Sequence, residues 1–229
     1  MEIAGGHLLR VEKNGAIILT DGRALHLEGI RLPDGALDRA PQTYADAALA
    51  TLKQLAGSAP LSLTSIPPKE DRYDRIRVQA FVGDRWVQAV LLNKGLARVA
   101  IAPDRTECAA ELFAVEAQAR AERRGLWAEP AYAVRHPSSV GPDIGTFQIV
   151  EGRVLNANVR KGRAYLNFSA NWRTGFSVVI DPEDMPNFRA SGVDPRSYSG
   201  QTIRVRGWVQ WHYGLEIEVA NPQGIEVVP

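Results

Sequence analysis

An α+β, mainly β fold is what this sequence predicts: two small β-barrels in tandem, the first carrying three helices. Three observations lead there. In residues 7–30, HLLRVEKNGAIILTDGRALHLEGI, short apolar stretches alternate with period two and break at Asn14-Gly15 and Asp21-Gly22, pairs that favour tight hairpins. Three later stretches carry apolar residues at helical spacing. Beyond residue 146, strand-like segments follow one another with Gly or Asn turns and a single helical piece.

Taken in order, the first region forms a three-strand meander. PQTYADAALATLKQLAG then places Tyr44, Ala48, Leu52 and Leu55 on one helical face, with Pro41 near its start and Gly57 near its end. PLSLTSI and RIRVQAFV alternate as strands, and VGDRW turns between them and the next element. WVQAVLLNKG predicts a short helix closed by Gly95. AELFAVEAQARAERRG predicts a longer one, with Arg123 and Arg124 in its last turn and Gly125 after it. Residues 133–146 are rich in Pro, Ser and Gly without periodicity, and we expect a linker there. Residues 147–229 then offer five or so strands, with EDMPNFRASG as one interposed helix, which suits a small Greek-key barrel of the OB type.

Bulk composition narrows the function classes. Of 229 residues, 45% are hydrophobic and 23% charged, the balance of an ordinary globular chain. The single cysteine, Cys108, excludes an intrachain disulfide framework and reads as a helix core residue. The four histidines (His7, His26, His136, His212) show no zinc-ligand spacing. Net charge is +1: residues 1–135 hold 18 basic and 17 acidic side chains, and 136–229 the remaining 9 and 9. No bulk field therefore draws the chain to polyanions, and any such binding must come from local clusters. No apolar run approaches membrane-helix length, so no membrane partner is expected. MEIAGGHLLRVEKNG lacks a signal-peptide core, which suggests the cytoplasm, or export if a precursor was trimmed.

Several segments resemble one family in its order and spacing. TDGRALHLEGIRLPD, EDRYDRIRVQAFV, VQAVLLNKGLARVA and AVEAQARAERRGLWAEP are similar to successive signatures of the thermonuclease (staphylococcal-nuclease-like) family, over about residues 7–132. The resemblance implies an OB-type five-stranded barrel with three helices over residues 1–132. It also implies a calcium-dependent phosphodiesterase acting on DNA and RNA. That chemistry concentrates negative charge on phosphoryl oxygens, to be neutralised by a cation and by bidentate guanidinium donors.

Carried over residue by residue, most of the expected groups are substituted. The family's DGD turn falls on Asp21-Gly22-Arg23, leaving Asp21 as a remnant and Arg23 at the metal-bearing position. Its strand arginine falls on His26. Its GIDAPE-like loop falls on Gly29-Ile30-Arg31-Leu32-Pro33-Asp34, so Arg31 replaces the second metal carboxylate and Asp34 replaces the Glu that positions water. Only Arg75 of DRYDR is retained, beside Tyr73 and with Asp74 in place of Gly, a residue that tolerates left-handed backbone. A guanidinium about 4 Å from a divalent cation is repulsive by roughly 8 kcal/mol at an effective dielectric near 20. Alignment slippage could restore Asp34 or Asp38 as ligands.

These substitutions predict a thermonuclease-like protein without its calcium site and with no cofactor, binding nucleic acid, single-stranded in preference, or another polyanion. Arg23, Arg31 and Arg75 would converge as a cationic pocket, or stand as solvated turn arginines paired with Glu28, Asp21 or Asp34. The second barrel resembles small OB-type domains that follow nuclease-like domains in some bacterial proteins. In TIRVRGWVQWHYG, alternation puts Arg204, Arg206 and Trp208 on one face, with Trp211 and Tyr213 after them. Basic residues interleaved with aromatics suit single strands. Tyr165, Trp172 and Arg173 would extend that face; otherwise the arginines only solvate it. The alternatives are residual phosphodiester hydrolysis, with Arg75 and Asp34 catalytic, His26 and Asp74 as further candidate bases and Ca²⁺ as cofactor, or a protein-interaction scaffold.

Overall fold

The computed structural model describes residues 1–171 and 175–228. It divides into two compact units, Met1–Pro130 and Ala131–Pro229.

In the first unit the expected meander is β2 (Leu8–Val11), β3 (Ile17–Leu19) and β4 (Ala24–Leu27), preceded by β1 (Glu2–Gly6) and followed by the short β5 (Ile30–Arg31). After helix α1 (Gln42–Ala56) come β6 (Leu61–Thr64), β7 (Ile76–Val82) and β8 (Arg85–Trp86). Then follow α2 (Val87–Asn93), β9 (Arg98–Val99) and α3 (Ala109–Ala121). The main sheet runs β1-β6-β7-β4-β3-β2, with β8 on β7; β5 pairs separately with β9. It is mixed, since β4 and β7 are parallel, and α1 supplies the crossover such a connection needs.

A closed barrel ladder is not what the pairings form. β1 and β2, the two ends of the sheet, are one chain segment interrupted only at His7. Its first half pairs with β6 and its second with β3, each with a register shift. The ring of neighbours is thus completed by the covalent chain at a bend, where the hydrogen-bond ladder breaks. Arg23 braces this bend: its guanidinium donates to the Ala4 and Gly5 carbonyls at 2.6 and 2.7 Å, and its Nε to Asp21 at 2.8 Å.

Ile17, Leu19, Leu25, Leu52, Leu61, Leu91 and Leu112 fill the core between sheet and helices. Each such side chain contributes roughly 1.5–3 kcal/mol on burial. Helix α3 ends at Ala121, a turn earlier than its composition suggests, because Arg123 adopts a left-handed φ of 54°. Cys108 precedes that helix, half-buried, with φ 63°.

In the second unit, residues 131–146 do not hang free: they form 3-10 turns, with Tyr132 and Val140 buried and Arg135 hydrogen-bonded to the backbone of Ile149 and Glu151. Strands β10 (Phe147–Arg153), β11 (Asn156–Arg160), β12 (Arg163–Asn167) and β13 (Phe176–Ile180) come next. The short helix α4 (Met185–Ala190) follows, then β14 (Thr202–Trp208), β15 (Gln210–Trp211), β16 (Leu215–Glu218) and β17 (Ile225–Val228). The sheets are β10-β14-β17 and β11-β12-β13-β16-β15, with β13 and β16 parallel. Again single segments serve two sheets: β10 and β11 are separated by two residues, and β14 and β15 by Val209.

The first unit carries one contact of backbone on backbone. Gly95 and Gly125 both have positive φ, 64° and 52°, and Leu126 N donates to Gly95 O at 2.8 Å. A Cβ on Gly95 would lie 2.0 Å from Arg124 O. We therefore expect Gly95→Ala to cost about 3 kcal/mol or more in urea unfolding, from steric overlap added to φ strain. Gly83→Ala, where φ is also positive but nothing lies within 4 Å, costs only about 1 kcal/mol from backbone strain. Equal losses at the two positions would show that φ alone matters.

Candidate functional site

The loop that would carry the family's chemistry leaves β4 at Leu27, turns at Gly29 (φ 84°) and enters β5 at Ile30 and Arg31. Arg31 lies directly opposite Arg98 in the β5–β9 pairing. Both guanidinium groups meet Asp38, Arg98 at 2.7 Å and Arg31 at 3.5 Å. Arg98 and Asp38 are almost wholly buried, at 1% and 3% exposure. Asp38 also accepts from Asp34 N at 3.0 Å, while Asp34 Oδ1 accepts from Leu37 N at 2.9 Å and shapes the turn ahead of α1. Arg31 is thus one arm of a buried ion cluster that closes the loop, and Asp34 is a turn-forming residue.

Arg23 stands elsewhere, correcting the expectation that it converges with Arg31. The Asp21-Gly22 turn joins β3 to β4, so Arg23 precedes the strand that Arg31 follows, and β4 alone separates its ends by about 10 Å. The turn beside the loop is the other one. A Cβ on Gly15 would meet Leu32 Cδ1 at 2.6 Å, so the Asn14-Gly15 hairpin packs against the loop. Its polar side chain, Asn14, accepts from Ala16 N at 3.0 Å, and Glu12 pairs with Arg10 at 2.7 Å. The order of the two Gly turns along the meander was the available signal.

Arg75 is held by Asp71: Nε donates to Oδ2 at 2.8 Å, while Asp71 Oδ1 accepts from Tyr73 N and Arg75 N. The intervening Asp74 takes the left-handed backbone, φ 59°. This turn lifts Tyr73 into solvent, 61% exposed, with the Arg72 and Arg75 guanidinium carbons 4.8 and 5.2 Å from its ring centre. The Arg75 pair holds the Asp71 carboxyl below its usual range, against the opposing effect of burial.

Next to it is a buried network that the sequence did not announce. Glu28 accepts from Arg77 Nε at 2.5 Å, and Arg77 forks onto both oxygens of Asp104 at 2.6 and 2.9 Å. Arg77 lies opposite His26 in the parallel β4–β7 pairing. A partly open cavity of about 80 Å³ adjoins these residues and is lined by Glu28, Ser65, Arg77, Gln79, Arg105 and Cys108 among others. Burial holds the His26 imidazole below its ordinary pKa; Arg75 and Arg77 push the same way, Glu28 and Asp71 oppose.

In the second unit, β14 departs from simple alternation. Val205 and Arg206 are both buried, and Arg206 pairs with Glu226 on β17. Arg204 bonds Glu151 on β10 at 2.8 Å and approaches Glu226 at 3.6 Å. Arg204 and Arg206 are therefore rungs of an ion-pair ladder across three strands, correcting the reading of both as a solvent-facing basic face. The physical cause is that acids stand on both flanking strands, facts invisible within TIRVRGWVQW. Trp208 is partly exposed and edge-on to Phe147, with ring centres 6.2 Å apart. Trp211 and Tyr213 are exposed at 55% and 82%. Tyr165 is half-buried on β12, and Trp172 and Arg173 lie outside the described residues. Sequence reading missed the tip of the β11–β12 hairpin, where Arg160 and Lys161 are exposed and Lys161 and Gly162 take positive φ. Its signal was the tetrapeptide Arg160-Lys161-Gly162-Arg163.

Residues 24–129, a little under half of the chain, match the family model described as Staphylococcal nuclease homologue, so an SNase-type domain occupies that span. No curated protein matches the chain. No helix among the described residues is long and apolar enough to cross a membrane.

Two outcomes follow from this geometry. Asp38→Asn removes the charge shared by two buried or half-buried arginines and is expected to cost about 3 kcal/mol in urea unfolding, against about 1 kcal/mol for Arg31→Ala. A loss below about 1 kcal/mol at Asp38 would exclude it as the closure of the loop. The depressed pKa of His26 means the unfolded chain binds its proton more readily than the native one. Its contribution is complete above the ordinary value of 6.5 and is lost as pH falls through the lower folded value. His212, raised by Glu216, acts oppositely and only as pH rises above 6.5. The urea midpoint should therefore fall as pH drops below 6.5, and His26→Gln should flatten that slope; an unchanged slope would locate the proton elsewhere.

Proposed function

We propose that this chain is a nucleic-acid-binding protein that engages single-stranded segments by stacking, with its SNase-type domain working without a calcium site. The observation that carries the reading is Tyr73: an exposed ring with two guanidinium groups near it, inside the domain whose family acts on nucleic acids. Bases stack on such rings at about 1–3 kcal/mol each, whatever their identity. Trp211 and Tyr213 offer the same chemistry in the second unit, whose strand order, like that of the first, we read as an OB-type barrel.

What supports loss of the cation is the charge of the loop. The position aligned with a metal carboxylate holds Arg31, and the nearby Asp38 is already shared by two arginines. The adjoining Asn14-Gly15 turn supplies no carboxylate of its own. These residues do not fit a calcium ion, which takes six to eight oxygen ligands. Arg23, Arg31, Arg75, Arg204 and Arg206 are each ion-paired within the chain, so binding should depend on stacking more than on salt.

Fluorescence polarisation with labelled DNA and RNA oligonucleotides tests this. Tyr73→Ala and Trp211→Ala should each weaken single-strand binding about tenfold, within the stacking range, with little change for duplex. Incubation with Ca²⁺, Mg²⁺ or EDTA should leave the oligonucleotides intact. Calcium-stimulated cleavage abolished by Arg75→Ala would overturn the loss of the cation, and no binding even at low salt would leave the scaffold reading in its place.

A further inference from the structure

The hairpin between β15 and β16 has a three-residue loop, His212-Tyr213-Gly214, with Trp211 paired to Leu215 across its base. This brings His212 over the face on which β16 presents Glu216 and Glu218, two residues apart. One donor atom from each of the three lies within 4.8 Å of the others, the one such group of three or more His, Cys, Asp or Glu donors among the described residues. His212 Nδ1 is already in contact with Glu216 Oε1.

We propose that His212, Glu216 and Glu218 form a binding site for a divalent cation of the zinc class, independent of the nucleic-acid reading. The donor set decides the class. One imidazole and two carboxylates suit zinc or its first-row neighbours, whereas calcium and magnesium call for oxygen ligands throughout. Tetrahedral zinc with bonds near 2.05 Å needs donors about 3.4 Å apart, so the His212–Glu216 contact must open while Glu218 closes by at most about 1.4 Å. The two arms that must move can do so: His212 is half exposed and Glu218 is exposed, while Glu216 is buried at 7% and fixed between Gln210 and Ser177 on the flanking strands.

Surrounding charge favours a cation. Asp184 carries a carboxyl raised above its usual range by burial and by Glu183, Asp181 and Glu218, so negative charge accumulates at this edge. The facing base, Arg163, is engaged with Asp181 at 2.7 Å. Three protein ligands leave a coordination position open, as at zinc sites that exchange water for an oxygen ligand. The competing account is a plain His212–Glu216 ion pair, which takes up no metal.

The full chain, stripped with chelator, should bind one equivalent of Zn²⁺ in isothermal titration. With Co²⁺ it should develop the visible absorption of a low-coordinate site. His212→Ala and Glu218→Gln should each weaken Zn²⁺ binding at least about tenfold, and Glu218→Gln, at an exposed position, should leave the thermal midpoint of the metal-free protein unchanged. Absence of saturable uptake would establish the ion pair alone. Uptake unchanged in both variants would place the metal elsewhere; either result overturns the proposal.

Discussion

Burying a guanidinium is tolerated only when a carboxylate goes with it, and this structure is arranged around that requirement. Arg77, Arg98, Arg105 and Arg206 are all buried, as are Glu28, Asp38, Glu116 and Glu216. The pairs join separate segments: Arg77 ties β7 to the turn after β4 and to the Asp104 loop, Arg98 ties β9 to the loop before α1, and Arg206 ties β14 to β17. Glu116 on α3 accepts from Val99 N at 2.7 Å and pairs with Arg120 one turn on, fixing the helix against β9. Removing one member of such a pair strands its partner, so these contacts specify which segments meet even where they add little net stability.

That same requirement governs what is left for recognition. A chain with 27 basic and 26 acidic side chains has little surplus cation, and many of its arginines are committed internally. Arg23 holds the strand bend, Arg31 the loop, Arg75 its own turn, Arg204 and Arg206 the three-strand ladder. On the reading proposed above, the surface groups that would meet a ligand include the exposed aromatics Tyr73, Trp208, Trp211 and Tyr213. Arg75 acts on Tyr73 by fixing the turn that exposes it, which is a positioning role and needs no free charge.

The sequence was informative wherever one residue or one period determines the local backbone. Tyr44, Ala48, Leu52 and Leu55 marked α1, and Asn14-Gly15 and Asp21-Gly22 marked the two hairpins. Gly95 and Gly125, in two of the quoted family segments, prove to touch each other backbone to backbone, so both segments are constrained by one contact. Pairings across strands were not legible. Nothing in TIRVRGWVQW shows that Glu151 and Glu226 flank it, so alternation placed Arg206 outside when it is buried. Nor did spacing reveal Glu28–Arg77–Asp104, whose members are 49 and 27 residues apart. His212, Glu216 and Glu218 escaped a search for histidine-rich spacing because a hairpin, not a helix, gathers them.

The first unit's backbone is held by contacts that lie within the chain. The strand order, with β4 parallel to β7, needs a crossover helix, the Gly29 turn and the Gly95–Gly125 contact. None of these depends on a bound cation. In a calcium site, clustered carboxylates repel one another until the ion neutralises them, so losing the ion would by itself loosen the loop. Here Arg31 and Arg98 both pair with Asp38 and neutralise its charge from within the chain. The loop is therefore closed by side chains of the chain itself. On the reading proposed above, an arginine at this position would take over a cation's structural role without its capacity to activate water.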